Sequence, residues 1–250
     1  MTAIEQHNLE IHSNAEVWRR KPLLRDIYDG FYARIAAELP PAELGPVVEL
    51  GSGMGNIKRV IPQCITTDLF SNEWLDRQEN AYALSFADST VGAFVLFDVF
   101  HHLRHPGAVL RELHRTLRPG GRVILFEPDM GLLGRFIYGA FHHEPLALHE
   151  PIAWDAPADF TPANHGYYAA QGNAHRVFVR GERPGSLDGW TILRVARLPA
   201  LGYVASGGFG GPQLYPRFCL PVFRFLDAIF RPLPGLFSTR LLVVLEKNAP

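Results

Sequence analysis

Short apolar runs alternate with amphipathic stretches along this chain, the rhythm of strands and helices exchanged in an α/β fold. Trp18, Leu23, Leu24, Ile27, Tyr28, Phe31, Tyr32 and Ile35 recur near helical spacing, which predicts a helix within 14–39 that Pro40-Pro41 stops. Packing on a sheet and covering a pocket rim with Trp18, Tyr28 and Tyr32 are both open to it. Apolar runs predict strands over 46–50, 64–68, 93–98, 122–126, 190–198 and 240–247, with a weakly marked one near 80–83. Pro62 leaves room for only a short helix over 56–61. A helix over 106–117 places Val109, Leu110, Leu113 and Leu117 on one face, with His105 and His114 expected at its surface.

The chemistry concentrates where the first strand ends. Val47-Val48-Glu49-Leu50 opens into Gly51-Ser52-Gly53-Met54-Gly55, with glycine at every second position. Such a loop lets backbone pass close to a nucleotide-like ligand, because no Cβ stands in the way. The Glu49 carboxylate can accept hydrogen bonds from a donor-rich ligand or from loop N–H groups. The spacing is not the Gly-x-Gly-x-x-Gly of dinucleotide sites, which argues against an NAD-dependent oxidoreductase.

The order of motifs after the loop is more specific. Ile65-Thr66-Thr67-Asp68 ends in an acid, Asn80-Ala81 follows, Ala93–Asp98 runs into Val99-Phe100-His101-His102, and Leu117-Arg118-Pro119-Gly120-Gly121 precedes the fifth strand. Over residues 45–130 this order resembles the class I S-adenosylmethionine-dependent methyltransferases, in the small-molecule branch that includes the ubiquinone and sterol enzymes. The resemblance implies a doubly wound, seven-stranded Rossmann-like sheet with an antiparallel last strand. It implies S-adenosylmethionine as cofactor and a small-molecule acceptor, with oxygen the expected methyl acceptor and a sugar-like or lipid-linked substrate. By position it assigns Gly51, Ser52, Gly53 and Gly55 to the loop beside the methionine portion, with Glu49 beneath. Asp68 takes the ribose hydroxyls, Asn80 stands where the family has an acid near the adenine amino group, Ala81 adds backbone contact, and Asp98 and Val99 end the fourth strand beside the cofactor. A chain that binds the cofactor without turnover, acting as a scaffold, is the alternative that Asn80 leaves open.

Asp98, His101 and His102 share a helical face if a helix begins there. Three readings stand: a pair that caps the helix, a general base near neutral pH, or ligands for a divalent ion. His101 and His102 are taken as catalytic candidates, and no metal is assigned. His142-His143-Glu144, in the aromatic stretch 130–175 beyond the fifth strand, offers His143 as a second catalytic candidate within a lid or substrate wall. No Gly-x-Ser-x-Gly elbow supports a hydrolase.

Between the last two strands, 199–239 reads as an insertion. Arg217, Arg224 and Arg231 are seven apart between aromatic residues, so 217–231 is expected either to lie on an anionic membrane or to cover the core. The whole of 1–250 is expected to be one domain, with 14–39 a cover, 45–130 the cofactor core and 130–175 the lid. A formal net charge of −1 without a long basic run argues against nucleic-acid binding. Two distant cysteines, Cys64 and Cys219, suit a reducing compartment. The polar start lacks a signal-peptide core and no long apolar run follows, so a cytoplasmic place is expected, with peripheral contact at a membrane's inner face left open.

Overall fold

A computed structural model describes residues 3–162 and 167–249. The N-terminal pattern is two helices rather than one, α1 (Ala3–Arg20) and α2 (Pro22–Ala36). Pro22 supplies no N–H and disfavours helical backbone at Lys21, so the axis breaks there although the apolar spacing runs through it. Trp18 therefore belongs to α1, while Tyr28 and Tyr32 are buried on α2 against the sheet rather than at a rim.

The first strand, β1 (Val47–Leu50), is followed by the glycine loop and a single 3-10 turn, Asn56–Arg59, in place of the expected helix. Next come β2 (Ile65–Asp68) and β3 (Arg77–Gln78). The third strand thus precedes its expected position. At 80–83 the chain turns instead, because the Asn80 side-chain oxygen accepts the Tyr82 N–H at 3.0 Å. β4 (Val91–Phe97) is buried along its whole length, and α3 (Pro106–Thr116) returns the chain to β5 (Leu117–Pro128). Then follow α4 (Leu132–Phe141), α5 (Asn173–Phe178), β6 (Trp190–Leu198), α6 (Leu201–Ser206), α7 (Leu220–Phe230), α8 (Pro234–Phe237) and β7 (Arg240–Lys247).

The seven strands lie in the order β3-β2-β1-β4-β5-β7-β6. The first five are parallel, and β7 runs antiparallel to both β5 and β6. This is the doubly wound sheet with an antiparallel last strand. Each face carries its own core. On one, Phe94, Leu96, Val123 and Leu125 pack with α3 and with Trp154, Val177 and Phe178. On the other, Val95, Phe97, Ile124 and Phe126 pack with α2, Tyr215 and Leu220. Strands buried on both faces are continuous apolar runs, which is why the central ones are easily read from sequence. Among the described residues, no helix is long and apolar enough to cross a membrane.

Candidate active site at the carboxyl ends of the strands

In open α/β sheets the ligand crevice lies beyond the carboxyl ends of the parallel strands, at the point where strand order reverses. Here that point lies at β1, between β2 and β4. Gly51, Gly53 and Gly55 all take left-handed backbone, with φ of 70, 53 and 67°. A Cβ on Gly51 would meet Val99 Cγ2 at 2.4 Å, so the loop and the end of β4 are in contact. A Cβ on Gly53 would meet nothing within 4 Å, so this glycine borders open space. Ser52 staples the loop to β2: its N–H donates to Thr67 O at 2.8 Å, and its hydroxyl accepts the Thr67 N–H at 3.0 Å.

Two carboxylates flank the loop. Asp68 accepts the Gly53 N–H at 3.0 Å and the Leu69 N–H at 2.7 Å. Glu49 lies beneath, 1 % exposed, and its Oε1 accepts the Tyr32 hydroxyl at 3.0 Å. Its buried Oε2 has no hydrogen-bond partner among the described residues. Burial pushes the Glu49 pKa up to about 8, against hydrogen bonds from Ser52 and Tyr32 that favour the charged form. An orphaned carboxylate oxygen beneath an open glycine suits a ligand that brings a cationic N–H donor, as an amino-acid-bearing cofactor does. The Asn80 amide is used at both ends, accepting from Tyr82 N and donating to Pro162 O at 2.9 Å. Ala81 packs half-buried against the core.

β4 ends in a turn that the sequence does not disclose. Asp98 is left-handed at φ 56°, and its carboxylate pairs with Arg240 at the start of β7. The guanidinium is buried, 4.4 Å from the Tyr203 ring centre. No α-helix begins at Asp98. Instead a 3-10 turn, Phe100–His102, is held by Glu127 at the end of β5, whose Oε1 accepts the N–H groups of Val99 at 2.8 Å and Phe100 at 2.6 Å. The Asp98 carboxylate is thereby given to Arg240, and the two histidines meet different partners from those their spacing implied.

His101 is buried, with Nδ1 2.7 Å from Glu127 Oε2. Burial disfavours its charged form, but Glu127 and Glu144 outweigh this and raise its pKa to about 10. These carboxylate neighbours favour the protonated ring, which makes His101 a poor general base. The His102 side chain keeps 34 % of its surface exposed. Its Nδ1 lies 2.9 Å from Tyr168 O, and burial beside charged His101 lowers its pKa. From the stretch between α4 and α5, Glu144 brings a buried carboxylate that accepts the Tyr167 hydroxyl at 2.5 Å and the side-chain amide of Gln171. Burial opposes its ionisation, yet His101 and Tyr167 hold its pKa well below the carboxylate range. His143 is exposed and its ring stacks on that of His142, whose Nδ1 lies 3.7 Å from Glu144 Oε2. His105, expected at the surface, is buried at the start of α3 with Nδ1 3.1 Å from Ala153 O.

The family described as "Methyltransferase domain" matches residues 48–125, the stretch that carries β1 to β5 and the glycine loop. Residues 48–125 thus carry a methyltransferase domain, and the fold around it is that of class I S-adenosylmethionine-dependent methyltransferases. S-adenosylmethionine is therefore the cofactor of this methyltransferase, and the glycine loop with its orphaned Glu49 oxygen fits it. No curated protein matches the chain in sequence. Among solved structures it is similar to a geranyl diphosphate methyltransferase bound to S-adenosylmethionine, at 13 % identity and TM-score 0.53, over 88 % of this chain and 85 % of that one. A Thermotoga maritima S-adenosylmethionine-dependent methyltransferase is similar over 96 % of this chain and 99 % of its own, at 14 % identity and TM-score 0.51. A chain from the Haloferax volcanii complex of the Trm112 methyltransferase activator with a methyltransferase is 18 % identical over 95 % of this chain and 98 % of its own, at TM-score 0.51. At these identities the likeness is one of fold.

Glu127, Gln171 and Arg240 are the site residues that sequence reasoning missed. Glu127 stood in view as the acid closing the fifth strand. Nothing local marks the other two.

Proposed function

We propose that this methyltransferase acts on a hydroxyl oxygen of an amphiphilic small molecule, lipid-linked and at most partly sugar-like, taken from the periphery of an anionic membrane. The observation that carries this reading is an exposed apolar surface beside the site. Phe136 and Phe141 on α4, Phe218 just before α7, Val222 and Phe225 on α7, and Leu236 on α8 are all at least 48 % exposed. Helix α4 packs against α8. The stretches 131–143 and 212–238 that form this surface carry Arg135, Arg217, Arg224 and Arg231 but a single acid, Asp227. That acid is turned inward, accepting the Leu201 N–H at 2.7 Å. A Phe-rich, cationic, acid-poor face suits an anionic lipid surface, where apolar burial and headgroup attraction add. Two of the seven-spaced arginines lean on α2: Arg217 pairs with Asp26, and Arg224 reaches the Asp26 carbonyl. All three arginines remain exposed beside the outward apolar side chains of this segment. Helix α4 leaves the end of β5 and α8 leads into Arg240, so the face borders the acceptor end of the sheet.

The sulfonium of S-adenosylmethionine supplies a methyl group that needs no further activation. The chain's task is to hold the cofactor, align an in-line attack and manage the hydroxyl proton. We assign cofactor binding to Glu49, Gly51, Ser52, Gly53, Gly55 and Asp68, with Asn80, Ala81, Asp98 and Val99 lining the crevice. Proton handling falls to the cluster around His101 and His102, with His143 at the lid edge a contact for the acceptor. In this reading 1–250 is one domain: 45–130 holds the cofactor, 130–175 walls the acceptor, and 14–39 and 199–239 close the crevice. The test is transfer of labelled methyl from S-adenosylmethionine to hydroxyl-bearing acceptors, free or embedded in vesicles of anionic or neutral lipid, with wild type beside His102→Ala and Phe218→Ser/Phe225→Ser. Label should reach the embedded acceptor, depend on anionic lipid and fall with both variants. Equal transfer to free and embedded acceptors would overturn the membrane assignment.

A further inference from the structure

Around Glu144, three polar side chains come together that neither the cofactor crevice nor the fold requires. His101 Nε2 lies 3.4 Å from Glu144 Oε2, and His102 Nε2 lies 3.6 Å from Glu144 Oε1. All three groups can offer ligand atoms within 4.8 Å of one another. These separations are long for charge-assisted hydrogen bonds, which run at about 2.7–2.9 Å. They match ligands that share one cation: bonds of about 2.0–2.2 Å in a tetrahedron put neighbouring ligand atoms about 3.3–3.6 Å apart.

The outer shell is built to the same end. His101 Nδ1 contacts the Glu127 carboxylate at 2.7 Å, and His102 Nδ1 contacts the Tyr168 carbonyl at 2.9 Å. A carbonyl only accepts, so His102 Nδ1 carries the proton and its Nε2 lone pair is left for another partner. A carboxylate on one ring and a carbonyl on the other is how metal-binding histidines are oriented and made more basic. A separate observation comes from Gln171, which is 2 % exposed. Its Nε2 contacts Glu144 and lies 3.5 Å from His101 Nε2, while its buried Oε1 has no partner among the described residues. Turning the amide over exchanges its two ends and brings the orphaned oxygen to the side of His101 and Glu144.

We propose that His101, His102 and Glu144, with the carboxamide oxygen of Gln171, form a site for one divalent cation of the zinc, manganese or iron(II) class. Two imidazoles select these metals over magnesium or calcium, which prefer all-oxygen shells. The ligands come from two places, the turn after β4 and the lid, so the cation ties lid to sheet. Partial exposure of His102 leaves a side from which a further ligand can enter. The catalytic consequence rests on the oxygen-acceptor reading above: a hydroxyl in that position has its pKa lowered by the ion, and His102 is then a ligand rather than a base. Cation binding itself does not depend on that reading.

The test is binding of Co²⁺ and Zn²⁺ to the full chain without cofactor or acceptor, followed by the visible d–d absorption of cobalt and by calorimetry. Glu144→Gln keeps shape and removes a charged ligand. His102→Gln alters a second, half-exposed ligand, and thermal unfolding reports whether each variant folds. The expected result is one ion per chain, a cobalt spectrum of low coordination number that Zn²⁺ displaces, no competition by Mg²⁺, and at least about tenfold weaker binding in both folded variants. That factor corresponds to about 1.4 kcal/mol. Absence of stoichiometric binding, or binding that folded Glu144→Gln leaves unchanged, overturns the site. Methyl transfer that persists in chelator, in a chain that binds no cation, would remove this inference and leave the methyltransferase reading standing.

Discussion

Glu49→Gln should stabilise the cofactor-free chain while weakening its hold on S-adenosylmethionine. The Glu49 carboxyl is raised from an ordinary 4.5 to about 8 by burial. At 1.36 kcal/mol per decade of pKa, ionising it in the folded chain costs about 5 kcal/mol. The folded chain therefore holds a proton on Glu49 that the unfolded chain has already lost above pH 4.5, and linkage fixes the sign. This contribution to stability is fully present below pH 4.5 and is lost as pH rises toward 8. At pH 7 about two and a half of those decades have been crossed, an upper bound of about 3 kcal/mol against folding. Glutamine keeps an acceptor for the Tyr32 hydroxyl and cannot ionise, so it escapes that cost. Urea unfolding of wild type and Glu49→Gln between pH 5 and 8 should show two curves that diverge as pH rises, the variant becoming the more stable. A cationic ligand at Oε2 favours the ionised form, so cofactor binding to wild type below pH 8 should release a proton, seen as a buffer-dependent heat in calorimetry. Parallel curves, or a variant less stable at every pH, would refute the account of Glu49 as a carboxyl kept neutral until its ligand arrives.

Three further outcomes follow from particular contacts. Asp68→Ala should weaken S-adenosylmethionine binding at least about tenfold by calorimetry, roughly 1.4 kcal/mol, since it removes the acceptor proposed for the ribose hydroxyls and the one that fixes Gly53. Asp98→Ala should lower stability by about 3 kcal/mol in denaturant titration, because it leaves the buried Arg240 guanidinium without its counter-ion. Asp98→Asn, which tolerates left-handed backbone and can still accept a hydrogen bond, should lose less. Gly107→Ala should cost about 1–3 kcal/mol, because its Cβ would meet Trp154 Nε1 at 2.3 Å, and a Cβ on Gly185 would meet the same indole at 2.0 Å, so the ring has little room to move. Thermal unfolding reads that loss, and a variant as stable as wild type would show that Trp154 moves aside freely.

The strands were legible where burial on both faces writes a continuous apolar run, as in 93–98 and 240–247. The Pro22 break was equally visible in principle, but the apolar stripe that crosses it has one periodicity on both sides. Two-residue β3 has too few positions to set a pattern. The turn after Asp98 was illegible for a different reason: its hydrogen bonds come from Glu127, far along the chain, so no local propensity could decide between a 3-10 turn and an α-helix. The same division runs through the site. The glycine loop and Asp68 are local features with a fixed order and can be read from sequence. Glu144, Gln171 and Arg240 acquire their neighbours only when the stretch between α4 and α5 and the antiparallel strand arrive.

The place of β7 bears on how the molecule is made. It is synthesised after β6 yet sits between β5 and β6. Until its residues leave the ribosome, β5 presents an open edge whose apolar row, Val123 to Phe126, has no partner, and β6 has no place to bind. Open apolar edges are templates for wrong pairing. A nascent chain of this methyltransferase is thus exposed to aggregation through much of the second half of its translation, and its demand for a holding chaperone should end when Arg240 reaches Asp98.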